Sequence, residues 1–355
     1  MKRFGFLFSV MVIMMAIAFN CCKKEDNSVP AERKEYAWVA GCEDSTGYGL
    51  ILFSADGGEN WVRQAAGLPA LLGIKVLDIW AVDEKTVWAV GSGNVILKTL
   101  DGGITWMQVQ SPANNPDTEL NSICIVNHNN IWISGTNGSV YNSADNGNTW
   151  TMFDPAFFHN AFMQGIWAIT PQKVYAVGAV IGNSLERGFI TSTSDGGATW
   201  DSITPSDDYN RHQWIGVTAS GNTIVVYGVN SHYIASTDGG TTWKNDSLQT
   251  PGGGGGADIN HMVIVNPQTW WGALDLGQFY LTNDGGSAWM RQLTDQGIAF
   301  MFGIDAWNSQ IALAVTRSTR VPLNGSIMKT LNGGTTWEVK KSYNTRLSKV
   351  TYIKK

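Results

Sequence analysis

The sequence predicts an all-β fold, a single seven-bladed β-propeller, and three observations carry that reading. An eight-residue box ending in tryptophan occurs seven times. The closing tryptophans recur every 43 to 50 residues. The strand pattern starts partway through one repeat and ends on the piece that repeat lacks. A period of this length is one four-stranded blade.

The boxes read SADGGENW (residues 54–61), TLDGGITW (99–106), SADNGNTW (143–150), TSDGGATW (193–200), STDGGTTW (236–243), TNDGGSAW (282–289) and TLNGGTTW (330–337). Asp-Gly or Asn-Gly between alternating apolar runs is a hairpin signal, because the turn needs positive φ and glycine supplies it without a Cβ penalty. The carboxylates Asp56, Asp101, Asp145, Asp195, Asp238 and Asp284, with Asn332 in the last box, can accept backbone N–H groups of their own turn. The tryptophans Trp61, Trp106, Trp150, Trp200, Trp243, Trp289 and Trp337 open the outgoing strand and can bury their rings against a neighbouring blade. All fourteen residues are therefore read as structural staples and not as catalytic groups.

Between boxes the strands recur as well. Residues 78–82 (DIWAV) form a first strand and 86–91 (TVWAVG) a second, with equivalents of the second at 36–41, 131–135 and 174–178. Alternation and β-branched content support strands throughout. The first repeat begins at its second strand, near Tyr36, and after the last box one extra strand, residues 348–353 (SKVTYI), remains. The two ends are expected to complete one blade and so close the ring.

The N-terminal end reads differently. Lys2 and Arg3 precede an apolar run from Phe4 to Phe19, which meets Cys21 and Cys22 and then Lys23, Lys24, Glu25 and Asp26. This is a signal-peptide pattern, and cysteine directly at the end of the run points to lipid attachment rather than a transmembrane anchor. The expected organisation is a lipoprotein signal peptide at 1–21, a flexible tether at 22–34 and the propeller at 35–355. Cys22, where the charged tether starts, is the expected lipidated residue, with Cys21 as the alternative. The expected location is the cell envelope, on the outer membrane or surface of a Gram-negative bacterium, with the membrane touched only through the lipid.

Composition narrows the partners. Against 29 acidic residues stand 24 basic ones, a net charge of −5, and loss of Lys2 and Arg3 with the leader makes the remainder more acidic, so nucleic acid is not an expected partner. Cys42 and Cys124 fall in blades that are not neighbours and are expected to be two buried free thiols. The five histidines come singly, without ligand spacing, so no metal is expected. The glycine run Gly252 to Gly256 lacks the lysine and helix of a phosphate loop. No cofactor is expected, and the chain is read as a monomer.

The recurring S/T-x-D-x-G-x-T-W pattern resembles the Asp-box, or bacterial neuraminidase repeat, of sialidases, oligoxyloglucan hydrolases and sortilin-type receptors. With one box per blade, residues 36–353 look most like the photosystem II stability and assembly factor family. That resemblance implies a propeller that binds a client protein. The shared residues are the staples, so function must come from the loops.

Propellers bind on the face carrying the fourth-to-first and second-to-third strand loops. The long segments here are residues 154–164, 179–188, 204–214, 247–260 and 316–325. They supply the binding candidates Phe158, His159, Arg187, Tyr209, Arg211, His212, Trp214, Arg317 and Arg320, with Phe157 and Phe162 beside them. Aromatics and arginines dominate binding hot spots, and aromatics also stack on sugars. The expected function is a non-catalytic envelope propeller for a protein client or a glycan. The alternative is a glycoside hydrolase. A sialidase needs arginines around a carboxylate and a Tyr–Glu pair, for which Tyr209 and Glu186 are available, whereas Arg63 and Arg291, just after box tryptophans, look structural. The arginine-isoleucine-proline element of sialidases is absent before the first blade, Arg320-Val321-Pro322 resembling it only in the last. The oligoxyloglucan enzymes use two propellers, where this chain has one.

Overall fold

The structure, a computed structural model, describes residues 35–112, 115–153, 158–159, 161–180, 187–203, 213–248, 256–293, 298–318 and 324–353. The proposed leader, tether and lipidated cysteine lie outside them. Among the described residues no helix is long and apolar enough to cross a membrane.

Among the described residues twenty-eight strands form seven four-stranded antiparallel sheets. Blade 1 is β28 (Leu347–Ile353), β1 (Tyr36–Gly41), β2 (Leu50–Ser54) and β3 (Val62–Gln64), in that order across the sheet. Blade 2 holds β4 (Val76–Ala81), β5 (Val87–Gly91), β6 (Ile96–Thr99) and β7 (Met107–Val109). Blade 3 holds β8 (Leu120–Ile125), β9 (Ile131–Gly135), β10 (Val140–Ser143) and β11 (Thr151–Phe153). Blade 4 holds β12 (Ala161–Ala168), β13 (Val174–Val180), β14 (Arg187–Thr193) and β15 (Asp201–Ile203). Blade 5 holds β16 (Trp214–Ser220), β17 (Thr223–Gly228), β18 (His232–Ser236) and β19 (Lys244–Ser247). Blade 6 holds β20 (Ile259–Ile264), β21 (Trp270–Leu274), β22 (Gln278–Thr282) and β23 (Met290–Leu293). Blade 7 holds β24 (Ile298–Ala306), β25 (Ala312–Ser318), β26 (Gly325–Thr330) and β27 (Glu338–Tyr343).

The chain ends meet as the sequence predicts. β28 pairs with β1 from Tyr36↔Ile353 to Gly41↔Leu347, so the last strand supplies the first strand of blade 1.

Each box forms the turn between third and fourth strands, and its polar residues stitch the turn to itself. In blade 1 the Ser54 hydroxyl donates to Asp56 Oδ1 (2.7 Å) and accepts from the Gly58 N–H (2.8 Å), while Asp56 Oδ1 accepts from the Asn60 N–H (2.9 Å). In four boxes a threonine hydroxyl donates to the second carboxylate oxygen at 2.6 Å, from Thr105, Thr149, Thr199 and Thr242. These hydroxyl and backbone donors hold the Asp101, Asp145 and Asp195 carboxyls down at about 2. Asn332 reproduces the geometry without charge, accepting from the Thr336 N–H and donating to its hydroxyl.

The core is divided among the blade interfaces. Seven apolar clusters each draw on two neighbouring blades, and the box tryptophans join the preceding blade's contribution. Trp337 stacks on Phe279 of blade 6 at 4.1 Å, and Trp200 meets Trp132 and Phe153 of blade 3 edge-on. The second box glycine has a use beyond its positive φ. A Cβ on Gly197 would lie 2.3 Å from the Phe153 ring, and one on Gly240 2.2 Å from the Tyr175 hydroxyl. In every box but the sixth, where Gly286 faces Trp270 of its own blade, this glycine is the seat for a side chain of the preceding blade.

Cys124 is buried, and burial pushes its thiol up to about 12. Cys42 departs from the expectation: it is only partly buried, because it follows the last residue of β1 and lies in the turn to β2.

Candidate functional site

The two faces of the ring differ in construction. On one face every box turn between strands has seven residues (55–61, 100–106, 144–150, 194–200, 237–243, 283–289 and 331–337). On the other face the connections are uneven: 92–95 and 229–231 are short, whereas 65–75, 110–119, 204–213 and 248–258 are long. Of the candidate binding residues, Phe158, His159, Arg187, Trp214 and Arg317 are described, each within or next to a connection on this face.

Their placements divide. His159 is exposed, and Arg317 in β25, opposite Phe300 and Gly325, is half-buried. Arg187 begins β14 opposite Val180. Tyr209, Arg211, His212 and Arg320 lie outside the described residues, as does Glu186. Phe158 and Trp214 correct the expectation. Phe158 is fully buried with its ring 5.4 Å from that of Trp200, filling the interface of blades 3 and 4. Trp214 is 1% exposed and packs between blades 4 and 5. Both stand beside loops in sequence yet serve as core, so neither ring offers a surface to a partner. Arg63 pairs with Asp44 in its own blade, and Arg291 Nε donates to Gln278 Oε1 at 2.9 Å, which accounts for both arginines within the blades.

At the centre of the ring lies a cavity of about 450 Å³ lined by the first strands of all seven blades. Each of these strands carries a β-bulge at the same height. The residues immediately after it form one layer: Asp78, Ser122, Gly165, Gly216, His261, Gly303 and Lys349. A bulge re-aims the side chains that follow it, and four of these seven positions bring polar groups together.

Lys349 Nζ lies 2.6 Å from His261 Nε2 and 3.8 Å from Asp78 Oδ1. With Lys349 donating to Nε2, the ring proton of His261 sits on Nδ1 and is donated to the Ile304 carbonyl at 2.9 Å. The Ile304 N–H, 3.3 Å from the same nitrogen, then faces a donor and cannot donate to it. The two residues belong to β28 and β20, with β24 between them; Gly303, without a side chain in this layer, leaves the gap they bridge. Asp78 accepts the Ile79 N–H (2.8 Å) on one oxygen and the Ile123 N–H (3.0 Å) on the other.

Burial governs the titration here. It raises the Asp78 carboxyl above the usual range, against the opposing pull of Lys349 and of the donors from Ile123, Ile79 and Ser122. Burial, reinforced by the Lys349 charge, pushes His261 well below its ordinary value, so the imidazole is neutral. Tyr227, whose hydroxyl lies where a side chain at 216 would go, is likewise raised by burial. One step further along the strands Trp80 and Trp167 meet edge-on at 5.3 Å. Among the described residues no group of His, Cys, Asp and Glu could hold a metal ion.

Sequence reasoning missed this layer because its members are dispersed one per blade. A signal existed: stacking the seven first strands places Asp, Ser, His and Lys in a single column where strands facing a core would carry apolar residues.

Fold and site together define a seven-bladed propeller with box-stapled turns, a variable loop face and a polar channel. The family model described as photosynthesis system II assembly factor YCF48 matches residues 68–156. No curated protein matches the chain. Among solved structures, YCF48 bound to D1 peptide is 19% identical with a TM-score of 0.56, over 74% of this chain and 80% of that one. The GH74 xyloglucanase from Xanthomonas campestris is 14% identical with a TM-score of 0.62 over 89% of this chain, which spans 55% of the enzyme's length. The WD40 repeats of RRP9 are 11% identical with a TM-score of 0.54, over 76% of this chain and 83% of that one. At these identities the structural likeness concerns the fold.

Proposed function

We propose that this chain is a non-catalytic envelope propeller that binds a protein client on its loop face and is held to the membrane by lipid on Cys22 or Cys21. The observation that carries the reading is the asymmetry of the faces. Box turns of one constant length staple one side, while the long connections of uneven length, with Arg187 and Arg317 at their edges, fall on the other. Variable loops on a rigid scaffold are where propellers place recognition. Similarity to an assembly factor whose structure was solved with a peptide supports a protein as the client. The signal pattern at residues 1–21 supports export and lipidation.

Likeness to a GH74 enzyme over most of the chain favours glycan hydrolysis as the second reading. Cross-linking in intact cells separates the two, with capture of the tagged wild type and of a variant carrying Ala at Arg187, Arg211, Arg317 and Arg320. A single abundant envelope protein captured by the wild type and lost from the variant is the expected result. Capture of nothing by either, together with turnover of a glycoside panel, would overturn the client reading in favour of the hydrolase.

A further inference from the structure

The box face carries an inference that rests on the lipid-anchor part of that reading and not on the client. We propose that the box face of blades 7, 1 and 2 docks on the surface of a phospholipid bilayer, with Leu100, Ile104 and Leu331 entering the interface.

The fold fixes where the anchoring chain leaves the propeller. In blades 2 to 7 the N–H of the residue after the box aspartate or asparagine donates to the turn between the first two strands of its own blade. Gly102 so donates to the Lys85 carbonyl and Gly333 to that of Gln310, each at 2.9 Å. Blade 1 has no such turn, because its first two strands are the two ends of the chain. There the Gly57 N–H donates to the Glu35 carbonyl at 2.8 Å. Both ends therefore emerge on the box face, side by side at Tyr36 and Ile353. Cys22 stands thirteen residues before Glu35, a reach of at most about 45 Å when fully extended.

Exposed apolar side chains gather around that exit. The second and sixth positions of every box are exposed. In blade 2 they are Leu100 and Ile104, 49% and 86% exposed, and in blade 7 the second is Leu331, 59% exposed. In the boxes of blades 3 to 6 only alanine, serine, threonine and asparagine stand there. Blade 1 has Ala55 and Glu59, and the Glu59 carboxylate is met by Lys329 and Lys340, each at 2.7 Å. The outer strands follow the same gradient. Val62, Met107 and Val339 are exposed just after the boxes of blades 1, 2 and 7, and Met152 and Met290 after those of blades 3 and 6. Across the ring, the outer strands of blades 4 and 5 begin with Asp201 and Lys244.

Aliphatic side chains gathered in one sector of a water-facing surface mark an interaction site. Its coincidence with the exit of the anchoring chain names the occupant. A lipid on a short tether holds the bilayer at an effective concentration on the order of millimolar, so a few inserted side chains suffice to orient the propeller. Charge selects the surface: a chain of net charge −5 suits zwitterionic headgroups better than anionic ones. The box carboxylates here also face their own turns, Asp56 with Asn60 and Asp101 with Thr105. The loop face, on the opposite side, is then turned away from the membrane.

Photolabelling of the wild-type lipoprotein tests the proposal. The full chain is reconstituted in phosphatidylcholine vesicles doped with a phospholipid bearing a diazirine near its headgroup, irradiated, and its adducts mapped by mass spectrometry. Adducts are expected within residues 99–107 and 330–339 and not within 193–201 and 236–244, the same segments of blades 4 and 5. The triple variant Leu100→Ser, Ile104→Ser and Leu331→Ser changes only exposed side chains and is expected to lose the adducts while staying on the vesicles. Adducts spread evenly over the seven boxes, concentrated in loop-face segments, or absent beyond the leader would overturn docking. Acylation is read separately from the mass of the N-terminal peptide. Its absence would strike the lipid anchor, whereas adducts at the two segments would still uphold docking.

Discussion

The hydroxyl of Tyr352, in the last strand, donates to the backbone carbonyl of Gly57, in the first box, at 2.7 Å. The bond joins the two ends of the chain at the rim of blade 1, beyond the ladder of β28 with β1. Tyr352 is 5% exposed, so Tyr352→Phe strands a buried acceptor and is expected to cost about 1–3 kcal/mol, read as a lowered urea midpoint. Deleting the chain from Ser348 onward removes all but Leu347 of the inner strand of blade 1 and is expected to prevent stable folding. A truncated chain that melts like the full one would refute ring closure.

The two box glycines are expected to respond differently to alanine. Gly196 and Gly197 both have positive φ, but a Cβ at 196 has its nearest neighbour at 3.7 Å, whereas one at 197 strikes the Phe153 ring at 2.3 Å. Gly196→Ala should cost about 1–2 kcal/mol from backbone strain alone. Gly197→Ala should cost about 1–3 kcal/mol more from overpacking between blades. Equal losses in denaturant unfolding would show that the second glycine is no seat for the neighbouring blade.

The box carboxylates give an acid limit. Asp101, Asp145 and Asp195 are held at about 2 when folded against about 3.9 unfolded. Their contribution is complete above pH 4 and is lost as pH falls from about 4 towards 2. Melting curves across that window should show the loss. Because Asn332 serves the last box without charge, Asp145→Asn is expected to flatten part of the acid fall while remaining folded at pH 7, and Asp145→Ala to destabilise at every pH.

His261 acts at milder pH. Its folded value lies well below the ordinary 6.5, so under more acidic conditions the unfolded chain binds a proton that the folded chain refuses. Stability should fall below about pH 6.5 by up to about 1.4 kcal/mol per pH unit. Asp78 works in the opposite sense: its raised folded value favours the folded state as pH falls through that value. Unfolding free energies at pH 7, 6 and 5 should show a fall in the wild type and a flatter line in His261→Gln. An unchanged slope would place the sensitivity elsewhere.

The blade architecture was legible because it repeats. The seven boxes, their spacing and the spare strand at 348–353 each state the same constraint, and local turn chemistry agrees with it. Phe158 and Trp214 misled because residues flanking long loops fill the blade interfaces, and composition does not distinguish an aromatic that caps the core from one that meets a partner. The layer of Asp78, His261 and Lys349 was illegible for a different reason. Its members lie 88 residues apart or more and meet only because each first strand bulges at the same height.

The pairing of Tyr36 with Ile353 has a mechanical meaning. The outward-leading ends of β1 and β28 lie side by side, so opposed force on the two ends would load the hydrogen bonds one at a time, as in a zipper, and not together in shear. A propeller hung from its N-terminal end alone keeps this seam free of tension. Opposed pulling on Tyr36 and Ile353 would open blade 1 first, at low force, while the other six blades still held.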